Sequence, residues 1–167
     1  MRSLVVLALM VAVTAPAFSA EPSGCDKFKW PIERERAALT APTRAALVSG
    51  ATVTNPLPVA AILTLRPVGD AGLPSPPERA AAEGTFAGYL DVKTSLPAGT
   101  YSISISAGAW IDVVQEGRYL KPKAFSGATD CAGIRKTMKF DLAASPFVVQ
   151  VSGMKENTIT LAILPAE

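Results

Sequence analysis

The chain has 167 residues, of which 49% are hydrophobic and 18% charged, so we expect a packed domain and exclude extensive disorder. The 16 basic and 14 acidic residues nearly balance, which argues against nucleic-acid binding because that needs a clustered basic surface. The sequence has no histidine, which excludes a Ser–His nucleophile and imidazole-based metal sites.

The N-terminus is typical of a secretory signal peptide. Arg2 supplies positive charge, and residues 4–13 (LVVLALMVAV) form an apolar run too short for a bilayer, which takes ~20 residues. The small, turn-prone segment TAPAFSAEP follows. We therefore predict a signal peptide over residues 1–20, with the mature start between Phe18 and Glu21. An uncleaved anchor is the alternative.

Cys25 and Cys131 are the only cysteines, and in an exported chain we expect them to form one disulfide. The enclosed loop is about a hundred residues, for which the chain-entropy model gives ~4.7 kcal/mol. Their wide separation argues against a C-x-x-C redox pair, and two thiolates alone do not complete a zinc site. We predict no metal and no cofactor. Lipidation of Cys25 is the alternative use of that residue.

Residues 26–48 are the strongest helical candidate. Pro31 suits a first helical turn, where its missing N–H costs nothing, and Glu33 and Glu35 lie where the helix dipole favours acids. The alternating charges indicate a solvated helix face, and a second short piece over 43–48 extends the element. Three apolar residues are predicted to dock this helix on a sheet: Trp30, Ile32 and Leu39.

From residue 51 the apolar residues recur with a period of two, as in β-strands. Residues 69–84 are rich in Pro, Gly and Ala and predict a long surface loop, and 118–136 predict a polar loop or weak strand pair. The predicted strands are residues 59–68, 86–94, 101–106, 109–114, 137–142, 147–152 and 158–163.

This pattern predicts the fold class. About seven or eight strands at spacings of roughly ten residues, joined by short links, indicate a mainly β protein. We predict an antiparallel β-sandwich, jelly-roll or Greek-key like, with one short N-terminal helix, as a single domain over residues 21–167.

The strand that begins at Tyr101 alternates isoleucine with serine. Tyr101, Ile103 and Ile105 form an apolar face, and Ser102 and Ser104 lie on the other face, which predicts a half-buried strand. The preceding pattern L-P-x-G-x-Y resembles the tyrosine corner of Greek-key sandwiches, in which the tyrosine hydroxyl bonds to upstream backbone.

Trp110 and Asp112 share one face of the next strand, opposite Ile111. We expect Trp110 to pack under the N-terminal helix. The alternative is an exposed platform flanked by Arg118 or Lys139, which would suit a sugar ring or a protein partner. These considerations define a possible binding surface of Trp110, Asp112, Arg118 and Lys139.

Six basic residues lie between Glu116 and Asp141, against three acidic ones. We interpret them as a solvated sheet face, and contact with an anionic partner is the alternative. The six are Arg118, Lys121, Lys123, Arg135, Lys136 and Lys139.

Two catalytic arrangements are conceivable without histidine. Ser126 and Lys123 have the types needed for a Ser–Lys nucleophile, but such short spacings recur by chance. Asp112 and Glu116 could act in glycoside hydrolysis, which needs carboxyl groups ~5–9.5 Å apart. We interpret both pairs as non-catalytic and predict no catalytic residues.

Between Ala98 and Leu164 the chain contains A-G-T-Y followed by I-S-I-S, then I-D-V, K-F-D-L, V-V-Q-V-S-G and I-T-L-A-I. In these features it is similar to the bacterial pre-peptidase C-terminal type of β-sandwich. The resemblance implies a sandwich fold. Aspartates of that family sometimes serve calcium, but here only Asp112 falls at such a place, without a nearby cluster of oxygen ligands.

Four further stretches are C-D-K-F-K-W-P-I-E-R-E-R, A-W-I-D-V-V-Q, F-S-G-A-T-D-C and I-R-K-T-M-K-F. With them the mature chain resembles small exported bacterial proteins of unassigned function, some of which are labelled homogentisate 1,2-dioxygenase. A non-haem iron oxygenase needs imidazole and carboxylate ligands, so the absence of histidine contradicts that activity here.

The sequence therefore favours a non-catalytic, exported interaction or accessory protein of the bacterial cell envelope, periplasmic or secreted. We expect an envelope protein or a glycan as partner, no nucleic acid, and no stable membrane insertion after cleavage. A carbohydrate or small-ligand binding module is the first alternative, which an exposed row of aromatic side chains would favour. An enzyme of unknown type is the second.

Overall fold

The computed structural model describes residues 21–167. Two β-sheets and one α-helix confirm the mainly β fold with a helix near the N-terminus. The predicted signal peptide over residues 1–20 lies outside the described residues. Within that described range, no helix is both long enough and apolar enough to cross a bilayer.

The described part of the chain has twelve strands, several of them short, where the sequence predicted seven or eight. The helix α1 spans Glu33–Thr40. The strands are β1 (Ala45–Val48), β2 (Ala51–Val53), β3 (Val59–Thr64), β4 (Arg66–Pro67), β5 (Phe86–Val92), β6 (Gly99–Ile105), β7 (Trp110–Gln115), β8 (Arg118–Leu120), β9 (Ala124–Gly127), β10 (Lys136–Leu142), β11 (Phe147–Met154) and β12 (Thr158–Pro165).

The strands form two sheets. The first sheet has the order β1-β3-β12-β6-β10-β9, and the second has the order β2-β5-β11-β7-β8, with β4 paired to β5. Most neighbours are antiparallel, as predicted, but β1 with β3 and β2 with β5 are parallel. The predicted antiparallel pairing is therefore confirmed for most neighbouring strands and is wrong for these two pairs.

Those parallel pairs arise because the chain passes from one sheet to the other at Ser49 and Gly50, between β1 and β2. Gly50 has a φ of 91°, which favours glycine. Ser49 Oγ accepts a hydrogen bond from the Tyr89 N–H at 3.2 Å. A Cβ atom at Gly88 would lie 2.8 Å from Ser49 Oγ, so glycine permits this close approach. The crossing joins the edges of the two sheets.

One apolar core lies between the inner faces of the two sheets. Ile103 and Ile105 of β6 and Val149 and Val151 of β11 are fully buried in it. Full burial of such a side chain contributes ~1.5–3 kcal/mol before the loss of conformational entropy is counted. The sheets therefore pack as a sandwich-like pair, which is the driving interaction expected from the alternating sequence.

The N-terminal segment covers the outer face of the first sheet. Ile32 and Leu39 are buried there, and Trp30 packs against the same cluster, which confirms the predicted docking residues. Helix α1 ends at Thr40 because a residue that precedes proline, here Ala41, is disfavoured in helical conformation. The prediction of helix over 26–48 was thus too long, and 43–48 contributes β1 instead.

This covering also changes the character of β6. Ser102 and Ser104 are fully buried, so the strand is buried on both faces and the half-buried prediction was wrong. Ser104 shares a 2.8 Å hydrogen bond with the hydroxyl of Thr137 on the neighbouring strand. The small hydroxyl side chains allow the N-terminal segment to approach the sheet closely.

The predicted disulfide between Cys25 and Cys131 is present, with a sequence separation of 106 residues. Next to it, the Thr129 N–H donates to the Pro22 carbonyl and the Gly24 N–H donates to the Thr129 carbonyl, both at 2.8 Å. The cross-link and these hydrogen bonds hold the N-terminal segment against the chain just before β10.

The hydrogen bond of the predicted tyrosine corner is also present. The Tyr101 hydroxyl donates to the Pro97 carbonyl at 2.7 Å, four residues upstream. The ring itself belongs to the apolar core between the sheets. The bond therefore ties the turn before β6 to that core.

The Pro-rich loop crosses the outer face of the second sheet, and we call residues 71–85 the strap. The Gln150 side chain is 1% exposed and exchanges two hydrogen bonds with the Ser75 backbone, at 2.9 and 3.1 Å. The Tyr119 hydroxyl donates to the Pro76 carbonyl, and Lys121 pairs with Glu78. The predicted surface loop is therefore attached to the second sheet through Ser75, Pro76 and Glu78.

Loss of the disulfide tests the role of the N-terminal segment in stability. We expect the double variant Cys25→Ser with Cys131→Ser to have a free energy of unfolding about 2–5 kcal/mol lower, because the unfolded chain is no longer cross-linked. Urea unfolding measures this, and reduction of the wild-type protein should reproduce the loss. A double variant as stable as the oxidised wild type would contradict the prediction.

Candidate functional site: a cleft with aromatic and cationic walls

A cleft of about 440 Å³ opens where the strap passes β9 and the starts of β7 and β10. Trp110 and Phe125 form two of its sides and are 37% and 46% exposed. Its size falls within the usual range of small-ligand pockets. Between the rings the lining consists mostly of small residues, among them Ala80, Ala81, Ala82, Gly108, Ala109 and Gly153.

The strand positions explain why these two rings are exposed. Ile111 and Val113 of β7 point into the core, so Trp110 lies on the outer face of the second sheet. Phe125 lies on β9, which is an edge strand, opposite the buried Met138 of β10. No further strand covers that edge in the described structure, and the phenyl ring therefore faces the cleft.

Three cationic side chains converge on the cleft. Arg79 of the strap lies with its Cζ 5.8 Å from the centroid of the Trp110 ring. Lys136 Nζ lies 5.7 Å from the centroid of the Phe125 ring. Arg135 also lines the cleft, where it pairs with Glu21. With three cations and one carboxylate, the lining carries net positive charge.

Lys136 ties the cleft to the sheets. Its ammonium donates to the Ala109 carbonyl at 2.6 Å, just before β7. Burial lowers the pKa of Lys136, and the charges of Arg135 and Arg79 lower it further, while Glu21 opposes them. The cations therefore repel one another across the cleft, and a bound anion would relieve that repulsion.

Asp112 lies beneath the strap and is only 3% exposed. Its Oδ1 accepts a hydrogen bond from Trp110 Nε1 at 2.8 Å, and its Oδ2 accepts one from the Glu78 N–H at 3.2 Å. Burial raises the pKa of Asp112, and these two hydrogen bonds oppose the rise. The carboxylate therefore supports the wall of the cleft and does not form its open surface.

The sequence predicted that Trp110 packs under the N-terminal helix, and this prediction was wrong. Helix α1 lies on the first sheet, against β3, β6 and β12, whereas Trp110 lies on the second sheet beside the strap. Of the four residues of the predicted binding surface, only Trp110 lines the cleft directly, and Asp112 contacts it from behind.

The other two residues of that surface lie elsewhere. Arg118 is opposite Gln115, five positions along β7 from Trp110, or about 17 Å away by strand geometry. Lys139 is on the first sheet, with its Nζ 5.0 Å from the centroid of the Trp30 ring. Neither flanks Trp110, so the structure does not bring the four residues together.

The six basic residues between Glu116 and Asp141 do not share one face. Arg135 and Lys136 line the cleft, whereas Lys121 pairs with Glu78 of the strap and Lys123 pairs with Asp141. Strand alternation separates neighbours, and the turns between strands point the remaining side chains in different directions. The positive charge of the cleft therefore comes from two of these six residues, Arg135 and Lys136, together with Arg79 of the strap.

Sequence reasoning missed Arg79, Phe125 and Glu21 as members of the site. Arg79 lies in a loop without periodicity, and its position depends on contacts that the strap makes with β7, β8 and β11. Phe125 lies in the segment predicted as a polar loop or weak strand pair. The aromatic character of Phe125 within a polar segment was the one sequence feature that indicated a site there.

The two conceivable catalytic pairs are not assembled. Ser126 Oγ accepts a hydrogen bond from the Lys29 N–H at 2.8 Å, and the Lys123 ammonium pairs with Asp141 at 3.1 Å. Asp112 lies under the strap, whereas Glu116 lies in the β7–β8 turn and contacts Ser145. Asp112 and Glu116 are four positions apart, which in extended chain corresponds to about 13 Å. This distance exceeds the ~5–9.5 Å between the paired carboxyl groups of glycosidases.

Comparison of the chain with protein-family models, with curated proteins and with solved structures finds no significant match. The two resemblances drawn from the sequence therefore stay predictions.

The charge arrangement predicts the titration of Lys136. Because burial and two neighbouring arginines lower its pKa, the amine should lose its proton below the ordinary lysine value of about 10.4. NMR titration of ¹³C-labelled lysines, assigned with Lys136→Arg, measures this. Arg135→Gln should raise the pKa, and Glu21→Gln should lower it further.

The lowered pKa of Lys136 also determines how its contribution to stability changes with pH. The unfolded chain holds this proton more tightly than the native protein, so the contribution of Lys136 to stability rises as pH increases from the native pKa to about 10.4. A native pKa at or above the ordinary value would contradict the burial of this amine.

Proposed function

We propose that this chain is a non-catalytic, exported binding protein and that its cleft holds an anionic carbohydrate. The observation that carries the proposal is the meeting of two half-exposed aromatic rings, Trp110 and Phe125, with three cations in one concave site. The C–H face of a sugar ring packs on an aromatic ring, and carboxylate or sulfate groups pair with arginine and lysine.

The distribution of exposed apolar side chains favours a ligand-binding module over a protein-binding accessory factor. The large apolar side chains exposed in the described structure are Val48, Ile62, Trp110 and Phe125. Trp110 and Phe125 meet in the cleft, whereas Val48 and Ile62 lie on β1 and β3 of the first sheet. A concave aromatic site of this kind suits a chain-like ligand better than a flat protein surface.

The cationic lining specifies the charge of the ligand. The fork of an arginine guanidinium fits carboxylate and sulfate groups, and the lysine ammonium adds a point charge. Arg79 and Arg135 enter from different segments, the strap and the chain before β10. A ligand with acidic groups on successive sugars could therefore contact both.

Several contacts support a non-catalytic role. Both oxygens of Asp112, behind the cleft wall, accept hydrogen bonds from the protein. Within residues 21–167 the one carboxylate that lines the cleft belongs to Glu21, which pairs with Arg135. A general base or nucleophile needs a free, positioned polar atom within reach of the substrate. The cleft thus offers binding groups in place of a reacting pair.

We further infer an exported location and a Greek-key type of sandwich. The disulfide is compatible with an oxidising compartment such as the periplasm or the cell exterior, and the predicted signal peptide agrees with it. The Tyr101 to Pro97 hydrogen bond supports the Greek-key assignment, because this corner is typical of such folds.

Calorimetry with uronate- and sulfate-bearing oligosaccharides, against neutral oligosaccharides of equal length, tests the proposal. We expect the acidic chains to bind more tightly, with an affinity that falls as salt increases. Phe125→Ala and Arg79→Ala should each weaken binding about tenfold or more, the equivalent of ~1.4 kcal/mol. Lys155→Ala, which removes an exposed charge outside the cleft, is the matched control and should leave affinity unchanged.

Two results would contradict the proposal. One is a folded, oxidised protein that binds none of the acidic oligosaccharides. The other is an envelope protein, captured from an extract, that binds Phe125→Ala and Arg79→Ala as well as it binds the wild type. The second result would favour the accessory-protein interpretation instead.

A further inference from the structure

We propose that Asp112 is the positioning residue of the cleft: its one carboxylate holds the Trp110 ring and the strap segment that carries Arg79 in a fixed relation. The affinity part of this inference rests on the proposed function. The structural part concerns the free protein and stands without a ligand.

The geometry places both partners on a single group. Oδ1 of Asp112 accepts from Trp110 Nε1 at 2.8 Å, and Oδ2 accepts from the Glu78 N–H at 3.2 Å. Arg79 follows Glu78 directly, and its guanidinium lies 5.8 Å from the centroid of the Trp110 ring. The carboxylate therefore links an aromatic wall from β7 to a cationic wall from the strap.

Only a carboxylate meets both demands at this position. An ionised carboxylate is an acceptor at both oxygens, and here both facing groups are N–H donors. An amide at the same place would keep one acceptor and would point N–H groups at the second donor. One of the two links would then be lost, although the side chain keeps its size and shape.

The cost of burying this charge supports a positioning role. Burial is the largest influence on Asp112 and raises its pKa, while Glu78 adds repulsion and Lys121 adds attraction. Glu78 and Lys121 pair with each other at 2.6 Å, so their effects on Asp112 partly cancel. Desolvation offsets much of what the hydrogen bonds of a buried carboxylate contribute to stability, so the role we propose for Asp112 is to fix the geometry of its two partners.

A second buried side chain also attaches the strap to the sheet, but its hydrogen-bonding group is uncharged. Gln150 lies opposite Asp112 on β11 and binds the Ser75 backbone through a neutral amide. It holds the strap to the sheet but has no hydrogen bond to Trp110 in the described structure. Asp112 is therefore the residue that connects the strap to an aromatic side chain of the cleft.

The experiment compares Asp112→Asn with Gln115→Ala in the full mature, oxidised protein. Gln115 is buried on the same strand and makes three hydrogen bonds to Ala143 and Ser145, away from the strap. Gln115→Ala is thus a matched structural control that loses more hydrogen bonds than Asp112→Asn does.

The first readout is the indole N–H signal of Trp110 in ¹⁵N NMR spectra, with Trp30 as the internal reference. We expect Asp112→Asn to shift the Trp110 signal or to raise its hydrogen-exchange rate about tenfold, or to do the same for the Glu78 amide. Gln115→Ala should leave both signals in place while lowering the midpoint of urea unfolding more than Asp112→Asn does.

The second readout is affinity for an acidic oligosaccharide that the wild type binds. We expect Asp112→Asn to weaken binding about tenfold and Gln115→Ala to leave it unchanged. Trp110→Phe removes the indole donor and also reduces the size of the ring, so we expect its effect on affinity and that of Asp112→Asn to be less than additive in the double variant.

The two proposals fail separately. Unchanged Trp110 and Glu78 signals in Asp112→Asn would overturn the positioning role, whatever the ligand data show. If the wild type binds no acidic oligosaccharide, the proposed function fails, but altered NMR signals would still support Asp112 as the link between Trp110 and the strap.

Discussion

Burial of both faces at the centre of each sheet is the constraint on which the rest of this structure depends. The inner faces meet in a common apolar core, and β6 and β11 lie in the interior of their sheets with neighbours on both sides. A strand in such a position exposes no backbone edge and little side-chain surface. The outer faces then require covers of their own, and these covers come from segments that are neither regular strands nor long helices.

The two covers are attached by different physical means. The N-terminal segment is held by an apolar cluster and a covalent cross-link, which suits the small serine and alanine side chains beneath it. The strap contains few large apolar residues and is held by polar contacts to Asp112, Gln150 and Tyr119. Polar attachment is directional, so it places the strap in one register on the sheet without a large buried area.

The cleft forms where the strap leaves the sheet and the first sheet ends at its edge strand. At that place the strap provides Arg79, the second sheet provides Trp110, and the first sheet provides Phe125 and Lys136. The like charges are held close together by contacts with other segments, as Lys136 is by the Ala109 carbonyl and Arg135 is by Glu21. Crowding of charges in a cleft is a feature that recurs at functional sites.

Alternation with a period of two was enough to predict the longer strands, the mainly β class and the apolar core, because one face of a strand must be buried along its whole length. The disulfide also followed, because the chain has two cysteines and so one possible pair, and the tyrosine-corner hydrogen bond followed from the local motif L-P-x-G-x-Y. The parallel pairs at the sheet edges, the burial of Ser102 and Ser104, and the end of α1 did not follow, because they depend on which segment packs on which face.

The cleft, too, is a feature that only the tertiary structure decided. Its residues come from six separate stretches of the chain, and only the packing of the strap and of the sheet edges, which acts across long sequence separations, decides that they meet.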